Sequence, residues 1–240
     1  MTEEFIIIGI SILPVLVLAI YIYRKDSKYP EPFNLLFKLF ILGGFGSVLC
    51  ALFLGSGISS FHISYNSPLL NALFTAFITA GLVEEFSKFI MTKWISWNHK
   101  DFDEHFDGIV YCSMVSLGFA CIENIMYVAS GENLASSISI GFTRCIFSVP
   151  GHFLFGVIMG YYFSLAKFIP EKKNHYLIKA VILPTLGHGC FDALLMVNID
   201  NDTFTSFVLF CCFIWFDIKL WKIGKKRIQQ LIFIDKENNF

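Results

Sequence analysis

Charged side chains are scarce in this chain. Lys, Arg, Asp and Glu make up 15% of its 240 residues, well short of the roughly 25% carried by soluble domains. Apolar residues make up 55% and aromatics 17%, so an ordinary soluble domain is excluded and a membrane protein is expected. Other features are missing as well. There is no Pro/Ser-rich linker, low-complexity tract or internal repeat, which points to one polytopic domain over 1–240. No HExxH is present, so the commonest zinc-protease spacing is excluded. No CxxC occurs among the seven cysteines, Cys50, Cys112, Cys121, Cys145, Cys190, Cys211 and Cys212, and no function is assigned to them. The segment before the first apolar run, Met1-Thr2-Glu3-Glu4, is acidic rather than basic, and that run is expected to be a permanent span rather than a cleaved signal.

Spans of about 20 apolar residues are needed to cross a bilayer. Seven segments qualify, at about 5–23, 33–54, 69–95, 107–129, 138–166, 176–198 and 203–222. The fold class is therefore all-α: a polytopic helical membrane protein with about seven transmembrane helices. Basic residues alternate strictly with the spans. Arg24, Lys25 and Lys28 follow the first, Lys93 and Lys100 the third, Lys167, Lys172 and Lys173 the fifth, and Lys222, Lys225, Lys226 and Arg227 the seventh. The intervening loops, around 55–68, 130–137 and 199–202, contain no Lys or Arg. By the positive-inside rule the N-terminus lies outside and the C-terminus in the cytoplasm. The basic C-terminal tail reads as a cytoplasmic flank, with no nucleic-acid partner.

Ionisable groups inside the spans need a reason to be there, because each costs about 2.5–3.5 kcal/mol or more at the bilayer centre. The third span carries Glu84 and Glu85, with Lys88 between them on the same helix face and able to pair with Glu84 at i,i+4. The fourth presents Ser116, Ala120, Glu123, Asn124 and Tyr127 along one face. The fifth places Arg144, Ser148 and His152 at successive i,i+4 steps, with a kink expected at Pro150-Gly151 and Arg144 expected to snorkel toward the outer interface. The sixth sets Thr185, His188 and Asp192 on one face, beside Pro184, Gly187 and Gly189, which permit close approach.

Four helices bearing buried ionisable groups predict a shared hydrated site. Two chemistries suit it. A carboxylate can activate water while imidazoles bind an oxyanion or pass protons, or a metal can be held by Glu and His. Only His152 and His188 lie in the spans, so a zinc site would need Glu ligands as well.

Four ordered blocks carry a resemblance. "GLVEEFSKF", "DGIVYCSMVSLGFACIENIMYV", "PGHFLFGVIMGYY" and "HGCFDALL" resemble the PrsW family of bacterial intramembrane proteases, which is related to the CAAX prenyl endopeptidase and Abi superfamily. The resemblance covers about residues 80–195, inside a motif-bearing core of about 69–198. It implies a multi-pass protein of the bacterial cell membrane that hydrolyses a membrane-anchored substrate, an anti-sigma factor cut first in an envelope-stress cascade. It also implies catalytic roles for Glu84, Glu85, His152 and His188, with Lys88, Glu123, Asn124 and Asp192 in support. Asp192 stands where the wider superfamily usually has Asn, which leaves its role between orienting His188 and bonding a neighbouring helix. The cofactor is open between none and a divalent metal such as zinc on Glu84, Glu85, His152 and His188. Two other readings of the buried cluster are a secondary transporter or proton-coupled carrier, and a non-catalytic receptor or scaffold.

Overall fold

The computed structural model describes residues 2–26, 30–61, 66–197 and 203–237, and every element among them is helical. Lys28 and the loop positions 62–65 and 199–202 lie outside the described residues. Seven helical stretches are long and apolar enough to cross a membrane: Phe5–Lys25, Phe33–Ile58, Pro68–Ser96, Asp107–Ala129, Leu134–Phe168, Pro170–Met196 and Thr203–Glu237. The expected count of seven stands.

The elements run as α1 (Thr2–Lys25), then α2 (Phe33–Lys38), which passes through a π-helical stretch (Leu39–Gly43) into α3 (Gly44–Phe61). Next, α4 (Pro68–Phe74) passes through a second π stretch (Thr75–Leu82) into α5 (Val83–Ser96). They are followed by α6 (Asp107–Ala129), α7 (Leu134–Ile146), α8 (Ser148–Phe168), a 3₁₀ turn (Pro170–Lys172), α9 (Lys173–Met196) and α10 (Thr203–Glu237). Local chemistry explains several boundaries. Ser67 caps α4 by accepting from Leu70 N–H, with Pro68 in the first helical position where its missing N–H costs nothing. Asn133 caps α7 by accepting from Ser136 N–H at 2.9 Å.

The fifth span departs from expectation. It is two helices, α7 and α8, that meet at Phe147 (φ −116°, ψ −59°) rather than one helix kinked at Pro150-Gly151. Pro150 has no N–H to donate back to Ile146, so the chain breaks just ahead of it and restarts with proline in the first turn of α8. The seventh span also runs further than expected, to Glu237. At about 1.5 Å per residue, 35 residues exceed a hydrocarbon core of about 30 Å, so α10 projects beyond the bilayer.

α6 is the central helix, packed against α1, α3, α5, α7 and α8. Its residues from Asp107 to Ala120 are all buried. It lies close to α8 because Gly108 and Gly160 face each other: a Cβ on Gly160 would strike the Gly108 carbonyl and the Ile109 Cα. A second close approach seats the site. A Cβ on Gly81, in the second π stretch, would meet Thr185 O at 3.0 Å and Gly189 N at 3.2 Å on α9. The backbone just ahead of Glu84 therefore rides directly on the helix that carries His188.

The segments expected to share one side of the membrane do meet. Lys167 Nζ donates to Trp97 O at 2.7 Å, Asp235 accepts from His105 N–H at 2.9 Å and Phe106 N–H at 2.8 Å, and Tyr111 Oη donates to Glu31 at 2.7 Å. The chain ends after the first, third, fifth and seventh spans thus form one loop-bearing end of the bundle.

Candidate intramembrane active site

The two adjacent carboxylates of α5 point to different environments. Glu85 is fully buried, and its Oε1 accepts from Lys88 Nζ at 2.7 Å and faces His188 Nδ1 at 3.0 Å. Glu84 instead lines a cavity of about 100 Å³ that Glu85 does not reach. Lys88 lies closer to Glu85 than to Glu84, whose Oε2 is 3.4 Å away. The pair expected from i,i+4 spacing is therefore the longer of two contacts, because His188 draws Glu85 inward.

Lys88 also reaches α8. Its Nζ lies 3.1 Å from His152 Nδ1 and 4.2 Å from the centre of the Phe119 ring. An ammonium can only donate, so His152 Nδ1 accepts and its proton sits on Nε2. That Nε2–H donates to Glu123 Oε2 at 2.8 Å. On α9, the Glu85 oxygen that takes the ammonium is an acceptor, so His188 Nδ1–H donates to it and Nε2 faces the cavity. There His188 Nε2 lies 3.5 Å from Asp192 Oδ2 and 4.0 Å from Glu84 Oε2. Phe155 stacks on the His188 ring with centroids 4.9 Å apart and fixes its plane.

All eight residues expected from the sequence belong to one connected network, as Asn124 shows at its outer edge. Asn124 Nδ2 donates to the Ser11 carbonyl of α1 at 2.7 Å, and its Oδ1 accepts from Arg144 Nε at 2.8 Å. Arg144 does not snorkel. Its Nη2 donates to Glu123 Oε2 at 2.8 Å, and its guanidinium lies 4.3 Å over the Tyr127 ring. The reason is charge: Glu123 faces two neighbours, His152 and Arg144, and only the latter is a permanent cation. Sequence reasoning missed Arg144 and Phe155 as site residues, and placed Tyr127 on the polar face of its span without a role. The only signal for Arg144 was its helical phase with Ser148 and His152, which suggested the same face without naming a partner. Ser116 and Thr185, expected on the polar faces, are buried but send no hydrogen bond into the network among the described residues.

The cavity volume of about 100 Å³ matches a few waters at about 30 Å³ each, but not a peptide. Tyr127 and Met196 line it and are about half exposed, so these two residues join the cavity lining to the surface of the bundle.

A metal on these residues would draw on Glu84, His152 and His188, whose ligand atoms all lie within 4.8 Å of one another. The donor set as arranged does not fit. A metal-ligating imidazole must turn a lone pair toward the ion, yet the His152 Nδ1 lone pair is taken by the Lys88 ammonium and Nε2 holds a proton shared with Glu123. Glu85 Oε1 is likewise shared by Lys88 and His188.

The family model described as PrsW family intramembrane metalloprotease matches residues 31–217. The chain is 39% identical over 224 residues to a protein named Protease PrsW from Oceanobacillus iheyensis, covering 93% of this chain and 95% of that one. It is 35% identical to a Protease PrsW from Clostridioides difficile, covering 92% and 89%, and 34% identical to one from Bacillus subtilis, covering 80% and 83%. No solved structure matches.

Proposed function

This chain belongs to the PrsW family of intramembrane proteases, and from that premise we propose that Glu84 is the base that activates water for peptide-bond hydrolysis. The protein is a multi-pass intramembrane protease of a bacterial membrane. The observation that carries the assignment is the division between the two glutamates: Glu84 faces the cavity, whereas Glu85 is buried and bonded to Lys88 and His188.

Glu84 takes a proton from a cavity water as the water oxygen bonds to the scissile carbonyl carbon. The electron pair moves onto the carbonyl oxygen. When protonated on both nitrogens, His188 donates Nδ1–H to Glu85 and presents Nε2–H to that oxyanion, with Asp192 holding the ring in this state. Collapse of the intermediate breaks the C–N bond, and the proton on Glu84 passes to the departing amine. His152 acts by position: it spans Lys88 and Glu123 and fixes the face of α8 against α5 and α6. Zinc, if bound by other members of the family, would supply Lewis-acid polarisation of the carbonyl. No step above is routed through it.

The substrate class follows from the family resemblance. It is a membrane-anchored protein, and the resemblance names an anti-sigma factor whose first cut starts an envelope-stress response. The loop-bearing end is assigned to the cytoplasm by its Lys and Arg residues, which places the N-terminus outside and the C-terminus inside. The test is cleavage in detergent of a tagged single-span anti-sigma factor from the same genome. Wild type is expected to cut it and Glu84→Gln to leave it intact. Equal cutting by the folded variant, or none by folded wild type, overturns the reading.

A further inference from the structure

The site has the architecture of a metal centre around an atom that is not a metal. A histidine that ligates a metal commonly donates its second N–H to a carboxylate, which fixes the ring and its lone pair. His152 is held in that way, with Nε2–H on Glu123 Oε2 at 2.8 Å and the Nδ1 lone pair aimed inward. What it meets there is Lys88 Nζ at 3.1 Å. The same nitrogen lies 2.7 Å from Glu85 Oε1 and 3.4 Å from Glu84 Oε2. Two carboxylate oxygens and one imidazole nitrogen thus converge on the ammonium, the donor set a divalent ion takes from Glu and His.

We propose that Lys88 is the built-in cation of this site: its ammonium occupies the position where a divalent metal would bind and keeps the wild-type site closed to one. A divalent ion placed on Glu84 and His152 would have to expel the ammonium or stand beside it in a water-poor interior, where like charges repel strongly. The lysine side chain is fully buried, with the Phe119 ring on one side and the cavity-lining Glu84 and His152 as neighbours of its ammonium. A chain-borne cation needs no metal supply and cannot be chelated. It deepens the reading of Glu84 as base, because it assigns to Lys88 the charge that holds the glutamate pair.

The inference predicts that removing the ammonium opens a metal site. Purified wild type, Lys88→Met and Lys88→Arg are titrated with Co²⁺ in detergent, read by visible d–d absorption and bound-metal analysis without substrate. Wild type and Lys88→Arg are expected to bind less than a tenth of an equivalent, and Lys88→Met about one equivalent. Binding in the Met variant is expected to disappear in Lys88→Met/His152→Ala and to raise the variant's melting temperature. Stoichiometric Co²⁺ on wild type that is lost with His152→Ala overturns the proposal, as does a folded Lys88→Met that binds none. If Lys88→Met does not fold, the wild-type titration and its proteolysis in the presence of chelator still decide, since loss of cutting that added Zn²⁺ restores would also overturn it. These readouts need no Glu84 chemistry, so failure of the base assignment appears separately in Glu84→Gln.

Discussion

Two buried carboxylate clusters stand among the described residues, and there only the one around the cavity is tied to fixed cations. Around the cavity, Lys88 bridges Glu84 and Glu85, and Arg144 holds Glu123. At the loop-bearing end, Asp26, Glu31 and Asp107 are also buried, yet none has an ion pair among the described residues. Polar hydrogens serve there instead. Asp107 Oδ2 accepts the N–H groups of Asp103 and Glu104 at 3.1 and 2.7 Å, Asp26 accepts Glu31 N–H at 3.2 Å, and Tyr111 donates to Glu31. Burial pushes Asp26 up to about 6 and Glu31 up to about 7. Loop carboxyls held by backbone N–H groups and a tyrosine hydroxyl, without a cation, take up a proton more readily. Glu84, the carboxylate proposed as the base, has a cation beside it.

The sharpest way to break this comparison is to remove the base. Glu84→Gln is expected to lower the cleavage rate by about 10²–10⁴-fold with the fold intact, whereas Asp107→Asn is expected to cut at close to the wild-type rate; single-turnover assays on both variants check it. Charge balance comes next. Lys88→Met without added metal leaves buried carboxylates unpaired and is expected to cost about 3–5 kcal/mol in reversible denaturation, while Glu31→Gln at pH 8 is expected to be neutral or stabilising. Arg144→Ala is expected to reduce kcat by about ten- to hundredfold, the worth of charged hydrogen bonds of about 1.5–3 kcal/mol, with Arg144→Lys recovering part of it. If Arg144→Ala were fully active, Glu123 would not depend on it.

The smallest effect is a pH dependence of the loop end. A carboxyl whose folded pKa is raised binds its proton more tightly folded than unfolded, so its contribution to stability is greatest below the unfolded value and is lost as pH rises through the folded one. For Asp26 and Glu31 that window runs from about 4 to about 7. The melting temperature is expected to rise modestly on acidification from pH 8 toward pH 5.5, and Glu31→Gln is expected to flatten the curve. A wild-type curve that falls over this range overturns the assignment.

Much of the site was legible because buried charge in a span is costly and therefore conspicuous. Glu84, Glu85, His152 and His188 were readable as a shared site from that cost alone, and the seven spans from apolar length. Arg144 was not, since a cation near a span end normally reaches for the interface, and only the position of Glu123 on α6 shows why it turns inward. The choice of Glu85 over Glu84 as the closer partner of Lys88 was hidden too, because helical spacing allows both and His188, 103 residues further along, decides between them.

The sequence by itself determined that the chain is a helical membrane protein, which residues must be shielded from lipid, and which end of each span carries basic residues. These follow from local composition, since a bilayer tests each segment one at a time. Only the tertiary structure decided which glutamate meets the cavity, where the fifth span breaks, and that one lysine ammonium is the shared partner of Glu84, Glu85 and His152. Those outcomes depend on distances between helices, set by the close packing of Gly81 against α9 and Gly160 against α6, and no single segment contains them.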